Sequence, residues 1–286
     1  MYRNKEAVMM NPIEYLWSQV HSAFSGNEFL FLTFGSVSVV TFALIVFNIP
    51  FAVVDLTGWP SSLVKYKTQE GKTIPVNWPM YRKTLTLTAF NAVVVSFIVQ
   101  VMMYPLAVRT ISCSLSLPSL PKVVWDFVVC LLVIEVLFYY AHRLFHAPIL
   151  YKRIHKLHHD WIAPVSVGSI YCHPIEYVFS NLLPVVIGPC VTGSHVTVAW
   201  FFYTVVIFFT TLNHCGYHFP FLPSNEFHDF HHAKFNECYG SLGLLDYLHS
   251  TDLSFRKRSN YKRHVILTGR DSARELYPDI KKKAEQ

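Results

Sequence analysis

Polar and apolar residues in this chain separate into long blocks. Phe29 to Val54 is an apolar run of 26 residues, enough for a helix to cross about 30 Å of hydrocarbon even when tilted. Asn48 and Pro50 predict a bend near its end. Residues 55 to 84 form a polar loop. Leu85 to Val108 predicts a second span, Arg109 to Lys122 a short Ser/Pro linker, and Val123 to Ala141 a third span. A fourth apolar region covers roughly residues 174 to 191. Gly188, Pro189 and Gly193 predict a break there, and the run resumes from His195 to Leu212. Two such stretches joined at Gly-Pro predict a helical hairpin. The expected fold is therefore an all-α integral membrane protein: three spans plus a hairpin, with a histidine-rich helical cap. Residues 1–120 read as spans and loop, 121–255 as the histidine-bearing unit, and 256–286 as a basic tail.

Composition agrees with a membrane setting. Apolar residues make up 52% of the 286 residues, charged residues only 15%, and the mean hydropathy is +0.31; a soluble domain carries about a quarter charged residues. The net charge of +6 gathers in loops and tail. Lys65, Lys67, Lys72, Arg82 and Lys83 make the 55–84 loop cytosolic by the positive-inside rule. His142 and the residues after it then emerge on the same face, and the tail with its lysines at 281 to 283 fits that side. No basic stripe interleaved with aromatics is present, which argues against nucleic acid. The six cysteines have no CxxC pair and read as reduced packing residues. The N-terminus shows no cleavable signal peptide, so the first apolar run is expected to act as an uncleaved anchor.

Histidine changes the picture from a membrane protein to a chemical one. Of 15 histidines, 13 fall between residues 142 and 249. They form four groups: His142 and His146 in HRLFH; His155, His158 and His159 in HKLHH; His214 and His218 in HCGYH; His228, His231 and His232 in HDFHH. All use spacings of three or four, which place side chains on one helix face about 5–6 Å apart. Pro148 suits the first turn of a helix carrying the second group. One HxxxH pair is readily an accident of packing, but four groups at the mouths of apolar runs are not. Ten imidazoles shared between two octahedral ions give five each and leave open positions. Imidazole suits iron, zinc, copper and nickel alike. The Glu-x-x-His pairs of soluble di-iron bundles are absent.

HRLFH, HKLHH and HDFHH, with HCGYH before the last and FYYAHR and YCHPIE around them, resemble the histidine boxes of the membrane fatty acid hydroxylase superfamily. These are non-haem di-iron enzymes that include sterol C4-methyl oxidases, sterol desaturases and sphingolipid hydroxylases. The resemblance covers roughly residues 120 to 255. Within it, YKRIHKLHHDWIAPV, YCHPIEYVFSNLLPVVIGP and FNECYG look most similar to the methylsterol monooxygenase branch. Two departures stand out: Cys238-Tyr239 replaces Asn-Tyr, and Leu245-Asp246 replaces Trp-Asp.

The resemblance implies the ten box histidines as ligands of two iron ions that activate O2 against an unactivated C–H bond of a membrane lipid. It implies electrons from NAD(P)H through cytochrome b5 or a similar carrier. It also implies an endoplasmic reticulum location with the active site cytosolic. No Gly-rich nucleotide fingerprint is present, consistent with a separate reductase. A sterol is the first substrate expected, and fatty acyl or sphingolipid chains the alternative.

Three further residues are candidates for orienting ligand rings. Glu135 lies two helical turns before His142, and a carboxylate in an apolar span is costly unless paired or functional. His173 and Glu176 either support a ligand ring or cap the start of the hairpin. Asp160 and Asp229, within the boxes, are weaker candidates. A metal transporter or a non-catalytic scaffold is the reading from another class, but a transporter places its ligands near the bilayer midplane.

Overall fold

The computed structural model describes residues 11–279 except residue 73; the 281–283 lysines lie outside the described residues. The described chain is helical, with no strands beyond two isolated bridges. Five helices are long and apolar enough to cross a bilayer: Glu28–Thr57, Trp78–Thr110, Leu120–Phe145, Pro174–Thr192 and Val196–His214. Their outward faces carry exposed Phe42, Ile45, Ile98, Met102, Trp125 and Leu132, a surface that water would not tolerate at this extent. The all-α membrane architecture expected from the apolar blocks is thus the one observed. The third helix, however, runs on through the first histidine group to Phe145.

The hairpin is longer and less broken than the sequence predicts. Gly188 and Pro189 lie inside its first helix, which ends only at Gly193, in the left-handed conformation (φ 62°). Gly188 serves a different purpose. A Cβ there would meet Cys130 at 3.0–3.1 Å, so its absence lets the third and fourth spans touch. The hairpin tip also reaches as far as the linker between spans two and three. Ser112 N–H donates to Ser194 C=O (3.0 Å), and Val196 N–H to Ser112 C=O (2.8 Å). The hairpin tip and this linker therefore lie at the same end of the bundle.

Span two carries the irregular segment after HKLHH on buried polar side chains. Thr88 donates to Val167 C=O (2.8 Å), and Asn91 to the carbonyls of Ile170 and Cys172 (both 3.0 Å). Thr84 accepts from Trp161 Nε1 (2.9 Å). These bonds satisfy backbone groups that no regular element pairs. On the same side, Thr68 N–H donates to Gly216 C=O (2.9 Å), and His218 N–H to Tyr66 C=O (2.8 Å). The segment after residue 256 docks there as well: Arg274 donates to Thr68 C=O (2.7 Å), and buried Arg263 pairs with Asp279 (2.8 Å). The six cysteines are free and buried.

Candidate metal centre

Nine of the ten box histidines converge in two adjacent groups that could hold metal ions. The first joins His142, His146, His155, His159 and His231; the second joins His158, His214, His228 and His232. His142 and His146 stand at the end of span three, while His214 is the last residue of span five. HDFHH rides on a helix, Glu226–Lys234. HKLHH does not: after the short helix begun by Pro148, residues His155–Asp160 wind as a 3-10 turn. That tighter winding sends His155 and His159 to one group and His158 to the other.

His218, expected as a tenth ligand, belongs to neither group. The helix of span five stops at His214, and Gly216 turns the chain at φ 72°. A Cβ at Gly216 would strike Pro164 O at 2.5 Å, so glycine fixes this exit. Beyond the turn, His218 Nε2 donates to Val265 C=O (2.9 Å), and its Nδ1 lies 3.9 Å from Glu226. Its spacing from His214 carries no meaning once the helix has ended.

The rings are aimed by their other nitrogens. His142 Nδ1 donates to Tyr239 C=O and His231 Nδ1 to Glu237 C=O, both at 2.7 Å. In the second group, His158, His214 and His232 donate from Nδ1 to the carbonyls of Tyr171 (3.1 Å), Thr210 (2.8 Å) and Trp161 (3.0 Å). A carbonyl can only accept, so each of these rings carries its proton on Nδ1 and a lone pair on Nε2. Burial also pushes His158 down to about 4, and His228, His231 and His232 well below the usual histidine range. These imidazoles are neutral, the form that binds metal.

That tautomer assignment supplies a test of fit. His158 Nε2 and His214 Nε2 lie 3.3 Å apart, two lone pairs facing each other with no hydrogen between them. Such a contact is favourable only with a cation in the middle. Neighbouring Nε2 atoms in both groups are 2.9–3.3 Å apart. Metal–imidazole bonds of about 2.1 Å place adjacent octahedral ligands about 3 Å apart. The donor set therefore fits a metal in each group.

Glu176 lies against a box ring, its Oε1 2.7 Å from His155 Nδ1. His173 does not. Its Nδ1 accepts from Ile175 N–H (3.2 Å) and caps the short helix that presents Glu176. Glu135 also touches no ring, which corrects the contact expected of it. Its carboxylate instead collects Ser241 N–H (3.1 Å), Ser241 hydroxyl (3.1 Å), Leu242 N–H (2.7 Å) and Leu245 N–H (2.9 Å). Asp160 pairs with Lys83 (3.3 Å) and Tyr171 (3.0 Å), and Asp229 accepts from Gln69 (3.3 Å).

Sequence reasoning missed Asp246, which accepts from Tyr239 N–H (2.8 Å) and Gly240 N–H (2.6 Å). With Glu135 it pins the loop whose Tyr239 carbonyl aims His142. The only signal was its place in the Leu245-Asp246 pair. Cys238 has φ 60°, a left-handed conformation that Asn adopts more readily than Cys.

These features define a class: a multi-pass membrane protein whose spans end in two abutting imidazole clusters able to bind metal. The fatty acid hydroxylase family model matches residues 127–251. Over 270 residues the chain is 43% identical to human fatty acid hydroxylase domain-containing protein 2, covering 94% of this chain and 81% of that one. It is 32% identical to the very-long-chain aldehyde decarbonylase GL1-11 of Oryza sativa subsp. indica over 84% of this chain and 94% of that one. It is 28% identical to methylsterol monooxygenase 2-2 of Arabidopsis thaliana over 89% and 97%. No solved structure matches. The chain belongs to the fatty acid hydroxylase family, a group of lipid-modifying membrane enzymes.

Proposed function

We propose that this protein is an O2-dependent di-iron lipid oxidase of the endoplasmic reticulum membrane, acting first on the C4 methyl groups of sterols. One observation carries the metal reading: buried imidazole lone pairs facing each other at 3.3 Å, in a site with no carboxylate among its candidate ligands. His142, His146, His155, His159 and His231 would hold one iron, and His158, His214, His228 and His232 the other. When bound, the irons supply O2 activation. The reaction balances as RH + O2 + 2 e⁻ + 2 H⁺ → ROH + H2O, with electrons from NAD(P)H through cytochrome b5 or a similar carrier. The chain's own part is to aim nine rings, exclude water and hold the lipid. The positive loop between spans one and two supports a cytosolic site.

A second reading, hydroxylation of fatty acyl or sphingolipid chains, is favoured by 41% identity to the fatty acid hydroxylase ahd1 of Mycosarcoma maydis over 72% of this chain and 54% of that one. A transporter is disfavoured because the clusters stand at span ends. The deciding assay is turnover in membranes holding the protein, with NADH, O2 and cytochrome b5. It offers 4,4-dimethylsterol, ceramide and fatty acyl substrates side by side, with His158→Ala as control. Sterol oxidation lost in that variant is the expected result; oxidation of ceramide or acyl chains alone would overturn the sterol assignment.

A further inference from the structure

Between spans three and four lies a cleft of about 380 Å³ lined by apolar side chains. Leu137, Leu144 and Phe145 form one wall; Phe179, Leu183 and Ile187 form the other. Leu144 and Phe179 are 60% and 56% exposed, so the cleft opens on the side of the bundle that faces lipid. Its inner end is Phe145, only 6% exposed, whose ring stacks on that of His155 with centroids 6.4 Å apart. The Nε2 of His155 in turn lies 2.9–3.2 Å from those of His142, His146 and His159. One phenyl ring thus separates a lipid-facing cleft from the first histidine cluster.

The cleft also has a direction. Leu137 lies eight residues before Phe145, about 12 Å deeper along the span at the α-helical rise. Ile187 lies deeper along span four than Phe179. The cluster sits at the surface end of these spans, and the cleft runs from there toward the interior of the bilayer. A lipid whose body fills this cleft presents to the metals the carbons nearest its polar end. Its far end stays in hydrocarbon.

We propose that this cleft is the lateral entrance for the sterol substrate: hydroxyl end toward Phe145, side chain toward Leu137 and Ile187, with Phe145 as the gate. It follows that the carbon oxidised lies close to the lipid's polar group. This rests on the lipid-oxidase reading above and assigns where and which way round that lipid binds.

The test is photolabelling of the full chain in its membrane by two diazirine-bearing 4,4-dimethylsterols, one with the group beside the hydroxyl and one with it at the end of the side chain. The adducts are mapped by mass spectrometry. The hydroxyl-end probe should label Leu144, Phe145 or Phe179, and the side-chain probe Leu137 or Ile187. Leu183→Trp, which fills the cleft, should abolish both adducts; Leu183→Ala, which widens it, should keep them. Metal content should equal wild type in both variants. Phe145→Ala should carry the hydroxyl-end label onto the His155 segment.

Adducts in reverse order, adducts outside the cleft, or labelling undiminished in Leu183→Trp would overturn the proposal. So would labelling of the cleft by a diazirine fatty acid and not by the sterols. Labelling reads binding and needs neither electrons nor turnover, so a failed oxidation assay would count against the proposed function while leaving this result interpretable.

Discussion

The two histidine clusters are built from the same residue but held by different parts of the molecule. The second, with four buried rings, is aimed by carbonyls of the membrane-side framework: Tyr171, Trp161 and Thr210. Those carbonyls belong to span five itself and to the segment fastened on span two. The first has five rings, one of them half-buried His146, and depends on later parts of the chain. Tyr239 and Glu237 supply carbonyls from the loop after the last box, and Glu176 supplies a carboxylate in contact with His155. Three rings of the second cluster are thus aimed from the helical bundle and the segment fastened to it. The first is completed only when a distant loop is pinned against span three.

The largest effect expected from this difference is at the second cluster. His228→Ala leaves three imidazoles there and no spare ligand within the group. The variant should lose the metal held by that cluster while the first keeps its own. Metal analysis of purified protein reads this directly, and full retention would remove His228 from the ligand set. His146→Ala should cost less, since four rings remain around it.

Next comes Glu176→Leu. It removes the acceptor of His155 Nδ1 and frees that ring to turn. Outer hydrogen-bond partners of this kind are worth about 10–100-fold in metal affinity. The loss should fall on the first cluster alone, seen as one weakened step in a chelator titration. Equal weakening of both steps would mean that the clusters are not separately supported.

Glu135→Gln should act at longer range. An amide cannot accept all four hydrogen bonds that the carboxylate collects, and its NH2 faces donors. Charge-assisted bonds of this sort contribute about 1.5–3 kcal/mol. Amide exchange should therefore quicken at Ser241, Leu242 and Leu245. Metal should be lost partly and only from the first cluster. Unchanged exchange would show that the loop is held by Asp246 without help from the span.

These cases also show what could be read from the residues beforehand. The apolar blocks gave the five helices because bilayer thickness imposes a length that no soluble fold requires. The histidine groups pointed to the two clusters because so many imidazoles at spacings of three and four, at the mouths of apolar runs, are hard to explain by packing. What could not be read was backbone. Five of the rings are aimed by carbonyls, which every residue carries, so no side chain at 161, 171, 210, 237 or 239 announces the role. Glu135 stood out as a carboxylate in an apolar span, but its partners are groups more than a hundred positions away and not a box ring. Spacing alone also failed at HKLHH, where a 3-10 turn divides one box between two clusters.

The smallest expected effect belongs to His218, and it separates spacing from geometry most cleanly. Its HxxxH relation to His214 is the same as that of His146 to His142, yet only the latter pair sits on continuous helix. Gly216 turns the chain between His214 and His218, and the ring of His218 spends its Nε2 proton on Val265 C=O. His218→Ala should leave metal content and both chelator steps as in wild type. Its cost should fall on stability alone, from one buried hydrogen bond, about 1 kcal/mol, and the cavity left by a buried ring, read as a fall in Tm. Loss of metal from the second cluster would mean that the turn at Gly216 rearranges when metal binds and that His218 swings inward as a fifth ligand. The two clusters would then be alike in number, and only their props would distinguish them.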